Sequence, residues 1–108
     1  MNATSFTPGP WHVSNGKDVL AALGAPNADG VRTESNDAWQ VADCEHFMSY
    51  VGGYEYELSS AEQRANARLI AAAPDLYEAL AYAVDNHDFD SAEFDRMARA
   101  ALAKAVAP

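Results

Sequence analysis

The chain has 108 residues, the length of one domain built around one hydrophobic core. Hydrophobic residues make up 49% of it and aromatic residues 10%, a composition typical of folded proteins that argues against disorder throughout. Sixteen acidic and seven basic residues give a net charge of −9, which disfavours direct binding to nucleic acid or to an anionic membrane, because both need positive charge on the protein.

The amino-terminal stretch MNATSFTPGPW lacks a basic segment and an apolar run, so we expect no signal peptide. No apolar run approaches the roughly 20 residues that a membrane span requires. Cys44 is the single cysteine, which excludes an internal disulfide and suits a reducing cytoplasm. Residues 1–7 are expected to form a loose arm ahead of a rigid turn at Pro8, Gly9 and Pro10.

The first half of the chain predicts a small antiparallel sheet of three or four short strands. Residues 11–14 alternate apolar and polar side chains, as a half-buried strand does. The Asn15-Gly16 pair that follows is typical of a tight hairpin turn, because both residues tolerate a positive φ. The expected strands are 11–14, 18–23 and 38–44, with 31–34 as either a short strand or a loop.

Residues 45–58 have two interpretations. The segment holds several aromatic residues around Gly52 and Gly53. It forms either a short hairpin about the two glycines or a long aromatic loop over one end of the sheet. It is not a phosphate-binding loop, because it lacks the lysine and the strand-to-helix setting of one.

Three helices are predicted for the second half, over residues 60–73, 75–86 and 91–105. Ser59 or Ser60 fits the capping position of the first, because each has Glu or Gln three residues later. Pro74 cannot donate a helical hydrogen bond and restricts the residue before it, so the first helix ends there. Asp90 is expected to cap the third helix.

The predicted helix packing depends on which apolar residues share a face. On the first helix, Ala61, Ala65 and Leu69 recur every four residues, and Ala72 continues that face. Asn66 is either solvated or a buried amide with a backbone partner. We expect large side chains to carry most of the packing, since burying one contributes about 1.5–3 kcal/mol. They are Leu69, Ile70, Leu76, Tyr77 and Leu80, with Ala83 and Val84 extending the second helix's stripe.

No constellation typical of a catalytic or metal site stands out. Cys44 and His46 offer two soft ligands, but a closed zinc site needs four and no second pair exists. A nucleophilic Cys44 would also need an orienting group and an oxyanion hole. Asp85, Asp88 and Asp90 belong to an acidic run whose spacing is explained by helix capping and a solvated loop. We therefore predict a protein that is not an enzyme, with no cofactor and no metal.

Two surfaces are candidates for binding a protein partner. The first combines carboxylates with tyrosines, which are enriched at interfaces, and comprises Tyr50, Tyr54, Glu55, Tyr56 and Glu57. The second is the acidic group Asp85, Asp88 and Asp90. Both suit a partner with a basic surface. The alternative for the tyrosines is a place in the core or as cover for the sheet.

Two segments carry a family resemblance: TPGPW at residues 7–11, and NARLIAAAPDLYEAL at residues 66–80. With the alanine-rich helix over 98–105, they resemble a widespread group of small phage and prophage proteins, most of them known only as hypothetical proteins. Tyr77 stands where the group usually has leucine. The resemblance spans almost the whole chain, but residues 14–57 carry little of it.

The resemblance implies a phage origin and a shared fold rather than a reaction. Small acidic phage proteins often bind and block a host defence protein, such as a CRISPR effector or a nuclease. We therefore predict a non-enzymatic inhibitor that acts in the cytoplasm of the infected host. The alternatives are a homo-oligomeric accessory protein of phage replication or recombination, dimerising through its alanine-rich helices, and a binder of a small ligand or nucleotide signal.

Overall fold

The computed structural model describes residues 5–45 and 48–106 and has the predicted α+β fold. Three antiparallel strands, adjacent in the order β1-β2-β3, form the main sheet: Trp11–Ser14, Asp18–Ala21 and Gln40–Asp43. A separate two-stranded sheet contains β4 (Ser49–Val51) and β5 (Tyr54–Tyr56). The helices are α1 (Ser60–Ala71), α2 (Ala73–Asn86) and α3 (Ala92–Val106).

The main sheet begins with the predicted hairpin. Asn15 and Gly16 have φ values of 55° and 78°, the left-handed conformations that the turn between β1 and β2 requires. The register between β2 and β3 then shifts at a bulge, so that Val19 pairs with Ala42 and the next residue of β2 pairs with Gln40. Val41 and Ala42 therefore both pack against the core, which strict alternation along the strand does not allow.

The core lies between the sheet and α1. Val19, Ala67 and Ala71 are buried together, and larger residues such as Trp11 and Ile70 pack around them while remaining partly exposed. Helix α1 contacts all three strands of the main sheet, whereas α3 lies against both α1 and α2. Val19 is the one large side chain that is fully buried among the described residues.

The predicted packing faces of α1 and α2 are partly wrong: Ala72 and Ala83 are buried as expected, but several of the large residues are not. Helix α1 buries Gln63, Ala67 and Ala71, while Leu69 is 56% exposed. Helix α2 likewise buries small residues, and Leu80 is 57% exposed. Alanine has no side chain beyond Cβ, so the alanine faces let the helices approach the sheet and one another closely. The large residues are consequently directed outward.

Hydrogen bonds at the helix termini identify the residues that cap α1 and α3. The Ser59 hydroxyl accepts a hydrogen bond of 3.1 Å from the Glu62 amide, so Ser59 caps α1. At α3 the Ser91 hydroxyl accepts one of 3.0 Å from the Phe94 amide, so the prediction that Asp90 is the cap is wrong. A single residue separates α1 from α2, which begins with proline in its first turn.

Replacing Ser59 with alanine should lower the free energy of unfolding by about 1 kcal/mol, because a donor in the first turn of α1 loses its acceptor. Ser60→Ala is the matched control and should change it by less than about 0.5 kcal/mol, since Ser60 lies inside the helix and is exposed. Urea denaturation of both variants measures the difference. Equal losses would show that Ser59 is not the functional cap.

The amino-terminal turn packs against the junction of α1 and α2. A Cβ placed on Gly9 would lie 2.6 Å from Cβ of Pro74, so only glycine fits at this contact. Phe6, assigned by the sequence to a loose arm, packs edge-to-face against Trp11 and Tyr77, with ring centroids 6.3 and 5.2 Å apart. Residues 1–4 of that arm lie outside the described residues. The TPGPW segment and the segment over residues 66–80 thus contact each other at Gly9 and Pro74.

Candidate interaction surfaces

Strands β4 and β5 form a hairpin around Gly52 and Gly53, which have φ values of 60° and 86°. Of the two interpretations of residues 45–58, the short hairpin is therefore confirmed and the long loop is wrong. Two adjacent left-handed residues make a tight turn that matches the natural twist of the paired strands. The sequence signal for it was the glycine pair itself.

The two faces of this hairpin differ in chemistry. Val51 pairs with Tyr54 and Ser49 pairs with Tyr56, so these side chains share one face. We call Val51, Tyr54 and Tyr56 the tyrosine face; they are 62%, 72% and 56% exposed. The predicted aromatic surface is therefore divided between the two sides of the hairpin.

The opposite face carries a polar pair. Tyr50 lies across from Glu55, and its hydroxyl donates a hydrogen bond of 3.1 Å to Glu55 Oε1. Glu57 follows β5 immediately and is exposed. All six residues of the two strands are exposed, so neither face of the hairpin is covered by the rest of the described chain. The carboxylates lie beside the tyrosine face rather than within it.

The second predicted surface follows α2. His87 adopts a left-handed conformation that ends the helix, and the Asp88 amide donates a bond of 3.0 Å to the Ala83 carbonyl. The Asp88 carboxylate accepts from the Asp90 amide at 3.3 Å, and the neighbouring Phe89 packs edge-to-face on Phe94. Asp85, at the end of α2, is exposed and engaged in a polar contact. Local turn formation accounts for much of the carboxylate spacing here.

Cys44 is poorly suited to act as a nucleophile. Partial burial raises the pKa of its thiol, and the carboxylates of Asp43 and Asp18 raise it further. A smaller fraction is therefore present as the reactive thiolate at neutral pH. His46, its predicted neighbour in a metal or catalytic pair, lies outside the described residues, as does Phe47. Within residues 5–45 and 48–106, no three His, Cys, Asp or Glu side chains cluster as metal ligands.

A family model described as Salmonella phage P22 protein Y8K6 matches residues 1–108. The chain belongs to this family of phage proteins. Comparisons with curated proteins and with solved structures returned no match. In the described part of this phage protein, none of the helices has the length and apolarity needed to cross a membrane.

The helices of this phage protein present an apolar stripe that the sequence analysis had assigned to the core. Tyr77, Leu80 and Val84 on α2 are all exposed and, with Ala81 and Asp85, line a shallow cleft of about 230 Å³. Their spacing of three and four residues places them on one side of the helix. The predicted stripe was Leu76, Leu80, Ala83 and Val84 with Tyr77 beside it. The structure divides that set, because Ala83 is buried whereas Leu80 and Val84 are exposed together with Tyr77.

A second feature missed by the sequence analysis is a cleft that gathers basic residues from two helices. Arg64 and Arg68 of α1 and Lys104 of α3 line it, beside the β1–β2 turn. The sequence signal was the pair of arginines one turn apart in an acidic chain. Lys104 gives no such signal, because it lies 36 residues beyond Arg68 and near the end of α3, where the helix dipole favours a cation.

Proposed function

We propose that this phage protein is a non-catalytic interaction protein that binds a host protein through the β4–β5 hairpin and inhibits it. One observation carries the proposal: both faces of the hairpin are exposed, and one of them consists of Val51, Tyr54 and Tyr56. A two-stranded hairpin is only marginally stable by itself in water. A partner that covers the tyrosine face would bury its aromatic area and stabilise it.

The surrounding charge indicates the chemistry of that partner. Glu55 and Glu57 are exposed on or next to β5, and the protein carries a net charge of −9. A basic surface with an apolar groove would complement this hairpin. The acidic group Asp85, Asp88 and Asp90 would add to the same electrostatic attraction. Charge of this kind accelerates association, and salt screens it.

Because it is a small acidic phage protein, its target is a host defence factor, such as a CRISPR effector or a nuclease, in the host cytoplasm. Affinity capture from host lysate at low and physiological salt tests it. A defence protein should be retained by the wild type and lost when Tyr54 and Tyr56 are both replaced with alanine. Recovery of the same proteins by both baits would contradict a role for the hairpin. If the association rate constant with the partner did not fall as the salt concentration rises, electrostatic steering would be contradicted.

The exposed stripe on α2 supports a second candidate, self-association through the helices. Tyr77, Leu80 and Val84 form an apolar surface that a second copy of the chain could cover. Such a homo-oligomer would suit an accessory role in phage replication or recombination.

Sedimentation velocity at high micromolar concentration should then show a dimer that Leu80→Glu converts to a monomer, because a buried unpaired carboxylate opposes association. Leu23→Glu is the matched control: Leu23 is also an exposed leucine, but it follows β2 rather than lying on α2. A wild-type protein that sediments as a monomer throughout would rule this candidate out.

A further inference from the structure

The basic cleft has a volume of about 400 Å³ and lies between the β1–β2 turn, α1 and α3. His12 and Gly16 line one side, and Arg64, Arg68 and Lys104 line the other. Three of the protein's seven Lys and Arg residues therefore converge here, and none of its sixteen acidic residues lines the cleft. This cluster of positive charge contrasts with the net negative charge of the whole protein.

The two arginines of the cleft have no partner in the described part of the chain. Neither Arg64 nor Arg68 forms an ion pair there, and Arg68 Nε is buried without a hydrogen bond. Arg96 and Arg99, by contrast, are paired with carboxylates of their own helix. Burying a cationic donor without an acceptor costs free energy. An anion in the cleft would remove that cost.

Lys104 and Gly16 line the cleft beside the arginines. Lys104 Nζ lies 2.8 Å from Asp75 Oδ2, so the ammonium is held in place and its charge partly balanced. Gly16 lies directly against Arg64, where a Cβ would come within 2.2 Å of Nη1. The tight turn of the first hairpin thus brings backbone, rather than a side chain, up to the guanidinium.

We propose that the basic cleft binds a small phosphate-bearing ligand, with the guanidinium groups of Arg64 and Arg68 on the phosphate oxygens. Guanidinium groups present paired donors that match phosphate oxygens, and Lys104 adds a third cation for a group with up to two negative charges. The volume lies within the range of small-molecule sites. The ligand is small, because a net charge of −9 repels an extended polyanion.

Isothermal titration calorimetry with inorganic phosphate and, separately, AMP tests this site, at an ionic strength held constant with sodium chloride. We expect one site per chain for at least one of the two ligands. Similar affinities would show that the phosphate group alone is recognised, and tighter binding of AMP would identify a nucleotide as the ligand class. Absence of binding by both would overturn the proposal.

Substitution of single arginines tests whether the phosphate-bearing ligand binds in the basic cleft. Arg68→Gln should weaken binding about tenfold or more, because a charged hydrogen-bond donor is lost. Arg99→Gln is the matched control, since it removes an arginine from α3 that is already paired with Asp95, and it should leave binding unchanged. Equal affinity of wild type and Arg68→Gln, or equal losses in both variants, would overturn the assignment.

Arg68→Lys provides a second variant that keeps the charge, and it should show a smaller loss of affinity than Arg68→Gln. If either variant fails to fold, ¹⁵N spectra of the arginine side chains in the wild-type protein decide the question. Phosphate should shift the Nε–H signals of Arg64 and Arg68 and leave that of Arg99 in place; unshifted signals would contradict the site. No residue of β4 or β5 lines the cleft, so either outcome leaves the hairpin proposal standing.

Discussion

Replacing Ala67 with leucine should lower the free energy of unfolding by about 1–3 kcal/mol, which corresponds to a fall in Tm of about 4–12 °C. Ala67 is fully buried where α1 packs on the sheet, in contact with the cluster around Val19. Alanine at this position allows the helix to lie close to the strands. Three additional carbons would force the helix away from the sheet or the side chains out of their preferred rotamers.

Ala65→Leu is the matched control, because it makes the same change two residues earlier on the exposed side of α1. It should alter the free energy of unfolding by no more than about 0.5 kcal/mol. Thermal and urea denaturation of both variants give the comparison. If Ala65→Leu proved the more damaging substitution, the helix face predicted from the sequence would be the buried one, and the observed packing of α1 would be wrong.

Replacing Tyr54 and Tyr56 together with alanine should weaken binding to the captured host partner by at least about thirtyfold, the effect of losing about 2 kcal/mol at an interface hot spot. Both residues lie on the tyrosine face and are largely exposed, so their loss should leave the core and Tm almost unchanged. Surface plasmon resonance with the purified partner measures the affinity.

Tyr50→Ala is the control for this prediction, since Tyr50 lies on the opposite face of the same hairpin, where it bonds Glu55. It should reduce affinity much less than the double substitution. Circular dichroism and Tm verify that each variant remains folded. Equal losses from the two faces would indicate that the hairpin contributes through its own stability rather than through the tyrosine face.

Local signals predicted most of the secondary structure. The predicted helix over 60–73 and the observed Ser60–Ala71 differ only at the end, because Ser59 and Pro74 mark the boundaries chemically. The turn at Asn15-Gly16 was predicted directly, since those residue types tolerate a positive φ, whereas Gly52-Gly53 left a hairpin and a loop as alternatives. The hydrogen bonds were needed to choose Ser59 over Ser60 as the cap of α1 and to replace Asp90 by Ser91 as the cap of α3.

The candidate surfaces were predicted less completely. The sequence left the tyrosines either on an exposed surface or in the core and sheet cover, and the structure shows them exposed in a hairpin. Their role in binding stays a prediction. Their division between two faces required the register between β4 and β5. The basic cleft was not foreseen, because it joins residues from the first hairpin, α1 and α3 that no sequence spacing relates.

The sequence by itself determined where the helices and turns lie, because capping serines, a proline and glycine pairs act on their immediate neighbours. Only the tertiary structure decided which side of each helix is buried. In helices rich in alanine, several faces are apolar and differ little in hydrophobicity, so periodicity alone does not select one. The close approach of α1 to the sheet selected the face of Ala67 and Ala71, and this left Leu69 on the surface. On α2, which packs against α3, Ala79 and Ala83 are buried and Leu80 is left exposed.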